Sequence, residues 1–305
     1  LGLILTGLSP QSAAGYTKDY RAFAAFTGEL DGQAALLHLY RLEQGAANAL
    51  VLAYQSEMEA HKLSPATIAR RLAALRRATD RGRIVGLTSL KLELDPPKAE
   101  AFRDCSGPGT AGWKKLLELA EREAADGGSQ PIRDLAVLLL LHDRALRRGE
   151  VVTLDHPDDF DPTRPAVQVL GKGRRQKEWL TINARTTAAI AKWLSVRGEF
   201  PGALFLRTDR AQVESGRLTG ESVNRLVKAL AVRAKVGRTV RAHGLRHQAI
   251  TEALDGGWDV RDVRSFSRHG KIDTVLIYDD RRKDVGGDIT RSMGTPKRRG
   301  RGAGK

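Results

Sequence analysis

The chain of 305 residues has one cysteine, two methionines and only 5% aromatic residues. A lone Cys105 excludes an internal disulfide and any cysteine-based zinc knuckle, and it suits a reducing cytoplasm. No chemistry is assigned to it. Apolar runs stay well short of the roughly 18 residues that a membrane span needs, so no membrane partner is expected. The apolar opening Leu1 to Leu5 has no basic segment before it and no clear small-residue cleavage site, which argues against a secretory signal. The first methionine is Met58, so the true start is expected to be missing or altered. Acidic residues are also in deficit, 36 against 51 Lys and Arg, and the net charge of +15 points to a polyanionic partner, with nucleic acid as the default.

What is present divides into two domains of ordinary size. Tyr16, Tyr20 and Phe23, then the Leu36 to Leu42 run, then Leu50, Tyr54 and Met58 predict three helices between residues 16 and 61, with these side chains in the core. Ser64-Pro65 predicts the start of a fourth, the serine as cap and the proline in the first turn. That helix carries Ile68, Leu72 and Leu75 on one face and Arg70, Arg71, Arg76, Arg77 and Arg81 on the other. Residues 62–83 hold seven Lys and Arg against one Asp, a one-signed face expected to meet DNA phosphates through Arg70, Arg71, Arg76 and Arg77. From Asp95 to Gly112 the helical pattern stops at Pro96-Pro97 and Gly107-Pro108-Gly109. We therefore expect a helical DNA-binding domain at 1–95, a linker at 96–112, a second domain at 113–285 and a basic, disordered tail at 286–305.

In the second domain, Leu116 to Glu123 and Ile132 to Leu141 read as helices. The latter is apolar on nearly all sides, so it is expected to be deeply buried with Arg147 at its mouth. Val167 and Val169, then Trp179, Leu180 and Ile182, flank a basic stretch from Gly171 to Lys177 and predict a pair of strands joined by a basic turn. Gly171-Lys172-Gly173 is no nucleotide-binding P-loop, since the spaced upstream glycine and the following Ser or Thr are missing. Helices are expected again at Thr186 to Val196 and Ser222 to Val236. Residues 249–264 admit a helix-turn-helix around Gly256-Gly257, with Arg261 and Arg264 on its second helix.

Four short boxes follow one another in a fixed order: Leu146-Arg147-Arg148-Gly149-Glu150, Gly171-Lys172-Gly173, His243-Gly244-Leu245-Arg246-His247, and Ser267-Arg268-His269 with Tyr278 nine residues after His269. Their joint order and spacing resemble the active site of the tyrosine recombinases, the phage-type integrases. The resemblance covers nearly the whole chain and is strongest from Leu146 to Tyr278. Two positions depart from the family's usual pattern. Ala145-Leu146-Arg147 stands where Gly-Leu-Arg is usual, and Ser267-Arg268-His269 stands where Leu-Gly-His is common; Arg268 is read as a phosphate contact.

The resemblance implies a mainly α fold: a helical core-binding domain plus a mainly helical catalytic domain with a small antiparallel β-sheet, closing as a clamp around double-stranded DNA. It implies Tyr278 as the nucleophile that forms a 3′-phosphotyrosine link, with Arg147 and Arg246 gripping the non-bridging phosphate oxygens in place of metal ions. A neutral phenol with an ordinary pKa of about 10 needs their positive field and the nearby imidazoles of His243 and His269 to lose its proton. Lys172 would protonate the departing 5′ oxygen, with Lys177 close enough to compete for that role. Arg174 and Arg175 in the turn are expected to contact DNA. No cofactor is implied, and the active assembly would be a homo-tetramer on two DNA sites in the cytoplasm, associated with the nucleoid. A metal site of His243, His247 and His269 is disfavoured because Arg246 between them repels a cation. A type IB topoisomerase and a catalytically silent DNA-binding regulator are the alternatives; the separate basic helical domain favours a recombinase.

Overall fold

The structure is a computed structural model that describes residues 1–97, 107–171, 174, 176–208, 216–279, 290 and 293, with the side chains of Gln11 and of 277–279 left aside. The chain divides into two compact units, Leu1–Arg103 and Asp104–Lys305.

The first unit is helical: α1 (Gly2–Leu5), α2 (Pro10–Thr27), α3 (Gly32–Arg41), α4 (Gln44–Ala60) and α5 (Pro65–Ile84). Local chemistry sets the boundaries. Ser9 caps α2 and Ser64 caps α5, each serine accepting an N–H three residues on and each followed by a first-turn proline. Asp31 accepts from the amides of Gln33 and Ala34 to start α3. A Cβ at Gly32 would lie 2.7 Å from that of Tyr20, so only glycine lets α2 and α3 approach this closely. Tyr20 and Tyr40 are buried and donate to the α5 carbonyls of Ala74 and Ala78, satisfying polar groups that would otherwise be costly inside a core.

The second unit contains α6 (Gly109–Ala125), α7 (Ser129–Asp143), α8 (Arg148–Val152), β1 (Asp155–His156), β2 (Phe160–Asp161), β3 (Ala166–Leu170), β4 (Lys177–Thr181), α9 (Ala184–Arg197), β5 (Gly202–Ala203), α10 (Gly220–Arg233), α11 (Ala242–Asp255), α12 (Val260–Ser267) and α13 (Asp273–Asp279). As its all-round apolar character predicts, α7 is the central helix: Ala136 to Leu141 are fully buried, packed among α6, α9 and α11. Strands β2, β3 and β4 form an antiparallel sheet with Val167 opposite Leu180 and Leu170 opposite Lys177, so that residues 171–176 lie between β3 and β4 in the chain. The fold is therefore mainly helical with small antiparallel sheets. Among the described residues no helix is long and apolar enough to cross a membrane.

One boundary differs from the expectation. Gly109 and Gly112, read as linker glycines, belong to α6. Gly112 is a packing glycine, since a Cβ there would press on Val236 and Pro108 at 3.0 and 3.1 Å, whereas Gly109 has open space but takes left-handed backbone at φ +73°, and its amide donates to Gln248 Oε1 on α11 at 3.0 Å. A Cβ on Gly107 would lie 2.6 Å from the Gly244 carbonyl oxygen. The segment from 107 onward is thus fastened to α11, the helix that begins with the His243 to His247 box.

Candidate active site

Three chain segments converge on one buried guanidinium. Arg246 is fully buried on α11. It donates through Nη1 to the carbonyl of Ala145, two residues before Arg147, and through Nη2 to the carbonyl of Ser267 at the end of α12. Nη2 also lies 3.2 Å from Nε2 of His269. Arg246 thereby ties the first arginine box to the Ser267-Arg268-His269 turn, two boxes more than 100 residues apart in sequence. In this state its forked donors hold the protein's own carbonyls rather than facing outward, because α11 carries the side chain beneath both turns.

Both turns need left-handed backbone. Ala145 has φ +50° and Arg268 has φ +56°. These are the two positions at which the chain departs from the glycine usual in the pattern it resembles, and here glycine's freedom is the physical reason for the usual choice. The carbonyls of Ala145 and Ser267, presented by these bends, are the two that Arg246 takes.

Arg147 is the N-cap residue of α8 and keeps a partly exposed side chain, 28% accessible. Its amide donates to Glu150 Oε2 at 2.7 Å, its Nη1 to Glu150 Oε1 at 3.0 Å and its Nη2 to the Arg268 carbonyl at 3.3 Å. Glu150, quoted in the sequence box without a role, is the buried anchor of the arginine. Burial alone would raise its carboxyl, but Arg268 and Arg147 outweigh that and hold it below the usual carboxylate range. The helical i, i+3 spacing of Arg147 and Glu150 was the signal that could have found it.

His269 is held neutral. Burial first, then the charges of Arg246 and Arg147, push its imidazole down to about 4. With Arg246 Nη2 donating to Nε2, the proton sits on Nδ1, which donates to Ser267 Oγ at 2.9 Å. The sequence expectation set His269 beside the phenol to help it lose its proton, and here its ring is neutral and accepts from Arg246. His243 lies exposed in the first turn of α11 and close enough to act on the charge of His269. His247 faces Thr251 Oγ1 at 3.3 Å. Arg264 donates to the carbonyls of His269 and Gly270, so it braces the same turn.

Of the turn between β3 and β4, Lys172 and Arg175 lie outside the described residues. Arg174 is exposed and pairs with Glu178 Oε2 at 3.4 Å. Lys177 places Nζ 2.6 Å from both carboxylate oxygens of the fully buried Asp159. Its charge is matched to that carboxylate. Tyr278 falls on α13, and its side chain is outside what is described. It is nevertheless the one tyrosine in residues 104–305. Tyr20, Tyr40 and Tyr54 are buried in the first unit with their phenols pushed up by burial, Tyr40 to about 12.

On the first unit, the four arginines expected to meet DNA all have partners at home. Arg70 pairs with the buried Asp19. Arg71 donates to Tyr54 Oη at 3.2 Å, Arg76 to the Leu94 carbonyl at 3.0 Å, and Arg77 to the carbonyls of Ile4 and Thr6 at 3.3 and 2.8 Å. A buried polar cluster went unread altogether: His142, stacked on Trp113 with ring centres 3.7 Å apart, beside Asp143, which accepts from Asn183, Arg185 and Thr186. It fastens the start of α9 to the end of α7.

Residues 113–284 match the phage integrase family. A tyrosine recombinase of Synechocystis sp. is 35% identical over 92% of this chain and 90% of its own length. A tyrosine recombinase of Synechococcus elongatus is 33% identical over 93% of this chain and 89% of its own length. The fold is shared with the XerH site-specific recombinase bound to palindromic difH substrate, at TM-score 0.62 and 16% identity, covering 84% of this chain and 73% of that one. It is shared also with the Tn1549 transposon integrase in complex with transposon right end DNA, at TM-score 0.62 and 14% identity over 91% and 98% of the two chains.

Proposed function

The chain belongs to the phage integrase family of tyrosine recombinases, and from that premise we propose that it cuts and rejoins double-stranded DNA at specific sites through a 3′-phosphotyrosine intermediate. The observation that carries this reading is the convergence on Arg246, which brings the Arg147 box and the His269 turn to one place at the start of α11. In this reading the Tyr278 oxygen attacks the phosphorus, the bond to the 5′ oxygen breaks, and the leaving oxygen takes its proton from Lys172. The energy of the broken bond stays in the phosphotyrosine link, so the return step needs no nucleotide.

The residues divide the work by exposure. Arg147, partly exposed and fixed through Glu150, grips a non-bridging oxygen of the pentavalent state. Arg246 supplies charge from a low-dielectric position and sets the tautomer of His269. His269, neutral with Nε2 turned to Arg246, orients that arginine instead of adding charge, and His243 at the helix edge is the imidazole positioned to assist proton transfer. Two guanidinium groups take the place that metal ions hold in other nucleases, so activity is expected to persist in chelator. The DNA-bound state proposed is a tetramer on two sites.

Tyr278→Phe tests the assignment. On nicked suicide DNA carrying candidate sites, wild type is expected to form a covalent protein–DNA band, and the variant to bind but form none. A band surviving in Tyr278→Phe would move the nucleophile elsewhere, and wild type that binds without any band would make the chain a silent DNA-binding protein. Relaxation of supercoiled DNA lacking such sites would instead favour the topoisomerase reading.

A further inference from the structure

Arg268 is an unusual residue to find where it is. It occupies the left-handed C-cap of α12, a conformation that disfavours any side chain, yet its guanidinium is 95% buried, since only 5% is accessible. Nη2 donates to Glu150 Oε2 at 2.6 Å. Nη1 faces Glu178 Oε1 at 3.8 Å, and both of those atoms are buried with no hydrogen-bond partner among the described residues. The other oxygen of Glu178 meets Arg174. The result is a line of alternating charges, Arg147–Glu150–Arg268–Glu178–Arg174, that runs from the first arginine box through the α12 cap to strand β4 and the turn holding Lys172. A phosphate contact, expected for Arg268 from the sequence, does not fit a guanidinium turned inward between two carboxylates.

We propose that Arg268 is a positioning residue for strand cleavage: an internal cation that clamps Glu150 to Glu178 and so fixes the β3–β4 turn relative to Arg147. This rests on the functional reading above, in which that turn delivers the proton and Arg147 grips the phosphate. The physical case is one of magnitudes. A left-handed non-glycine residue is strained, and a buried cation with unmet donors is costly to desolvate, so neither the backbone nor the burial favours arginine here. The compensation is geometric. Two carboxylates from distant segments would repel each other, and the guanidinium between them turns that repulsion into a tie.

Arg268→Gly is the informative variant, since glycine accepts the backbone bend and keeps the carbonyl that Arg147 uses. Amide hydrogen exchange in the free protein is the first readout. The variant should exchange faster than wild type in both 147–152 and 176–181, with the rest of the second unit unchanged; equal exchange in those segments overturns the proposal whatever the activity. The second readout is single-turnover adduct formation at saturating DNA. Both Arg268→Gly and Glu178→Gln should cleave about 10- to 100-fold more slowly, as expected for loss of alignment, while DNA affinity stays within about threefold. The double variant should be no slower than the worse single one. A rate within twofold of wild type sinks the clamp, and so does a loss of affinity that accounts for the whole loss of rate, which would make Arg268 a phosphate contact after all. If the wild-type adduct proves independent of Tyr278, the functional reading fails, while the exchange experiment still judges the clamp.

Discussion

Two sets of arginines, one in each unit, look alike in the sequence and are used in opposite ways. On α5 the guanidinium groups of Arg76 and Arg77 reach back to carbonyls of their own unit, and Arg70 is matched by a buried aspartate; the heads remain at or near the surface. Around α11 and α12, Arg246 and Arg268 are enclosed, and Arg147 keeps an open side. Arg76 and Arg77 can be lost one at a time with modest consequence, because their heads are solvated, whereas loss of Arg70 would leave the buried Asp19 short of a partner. The second set acts as a unit. A run of one-signed charge therefore says little about function until the partners of each charge are known.

The largest expected break in this comparison is Arg246→Ala. It strands two buried carbonyls, those of Ala145 and Ser267, and removes the tie between two turns, so at about 1–3 kcal/mol for each stranded group it should destabilise the second unit by about 2–6 kcal/mol. Arg76→Ala on the exposed face of α5 should change the first unit by about 0–1 kcal/mol. Urea denaturation of the two variants checks the pair, and equal midpoints would mean that the burial of Arg246 has no energetic weight.

Arg147→Ala comes next. With 28% of its side chain open and its neighbours intact, the variant should fold and bind DNA, and its cleavage barrier at saturating DNA should rise by about 2–4 kcal/mol, as when an oxyanion donor is lost. A substrate whose bridging 5′ oxygen is replaced by sulfur needs little protonation to leave. It should rescue Lys172→Ala and fail to rescue Arg147→Ala. Rescue of both would mean that the two cations share one task.

Much of this arrangement was legible beforehand, and the remainder had a common cause for being hidden. Helices α2 to α5, the Ser64-Pro65 start and the β3–β4 pair follow from periodicity and caps, which are local properties. The boxes around Arg147, Arg246 and His269 follow from residue order. What stayed hidden depends on pairing across the fold: Glu150 with Arg268, Lys177 with Asp159, Asp143 with Arg185. Sequence spacing carries no signal for such contacts. The two departures at Ala145 and Arg268 were visible as letters, but a letter does not state its φ. Only the backbone shows that both occupy left-handed turns and that both matter to Arg246.

A pH titration separates the two regions again. The folded pKa of His269, about 4, lies below its ordinary value of 6.5, so the unfolded chain binds the proton first as pH falls. The contribution of the neutral ring is complete above pH 6.5 and is lost progressively down to about 4. Wild type should therefore lose stability more steeply across that window than His269→Gln, and parallel curves would mean that the ring is not held neutral. Affinity for DNA reports on α5 instead. Arg76 and Arg77 should each change the slope of log affinity against log salt by about 1 if each meets a phosphate, roughly a 3.5-fold effect over a fourfold change in salt. Arg70, neutralised by Asp19, should change it less.

The smallest effect is expected at Ala145, and it sharpens the contrast between the two left-handed turns. Replacing Ala145 by glycine relieves about 1–2 kcal/mol of left-handed strain. Against this, glycine gives the unfolded chain about 0.4–1 kcal/mol of extra freedom, and the loss of a fully buried methyl removes about 0.8 kcal/mol. The terms nearly cancel, so Ala145→Gly should lie within about 1 kcal/mol of wild type, a shift of no more than about 2–4 °C in Tm for a unit of this size. Cleavage should be unchanged, because the carbonyl that Arg246 holds is backbone and glycine presents it equally well. Arg268→Gly makes the same backbone exchange and should nonetheless slow cleavage, because there the side chain has partners on two other elements. If Ala145→Gly slowed cleavage as much as Arg268→Gly, looseness of the turns would explain both variants, and the guanidinium of Arg268 would have no separate part in the reaction.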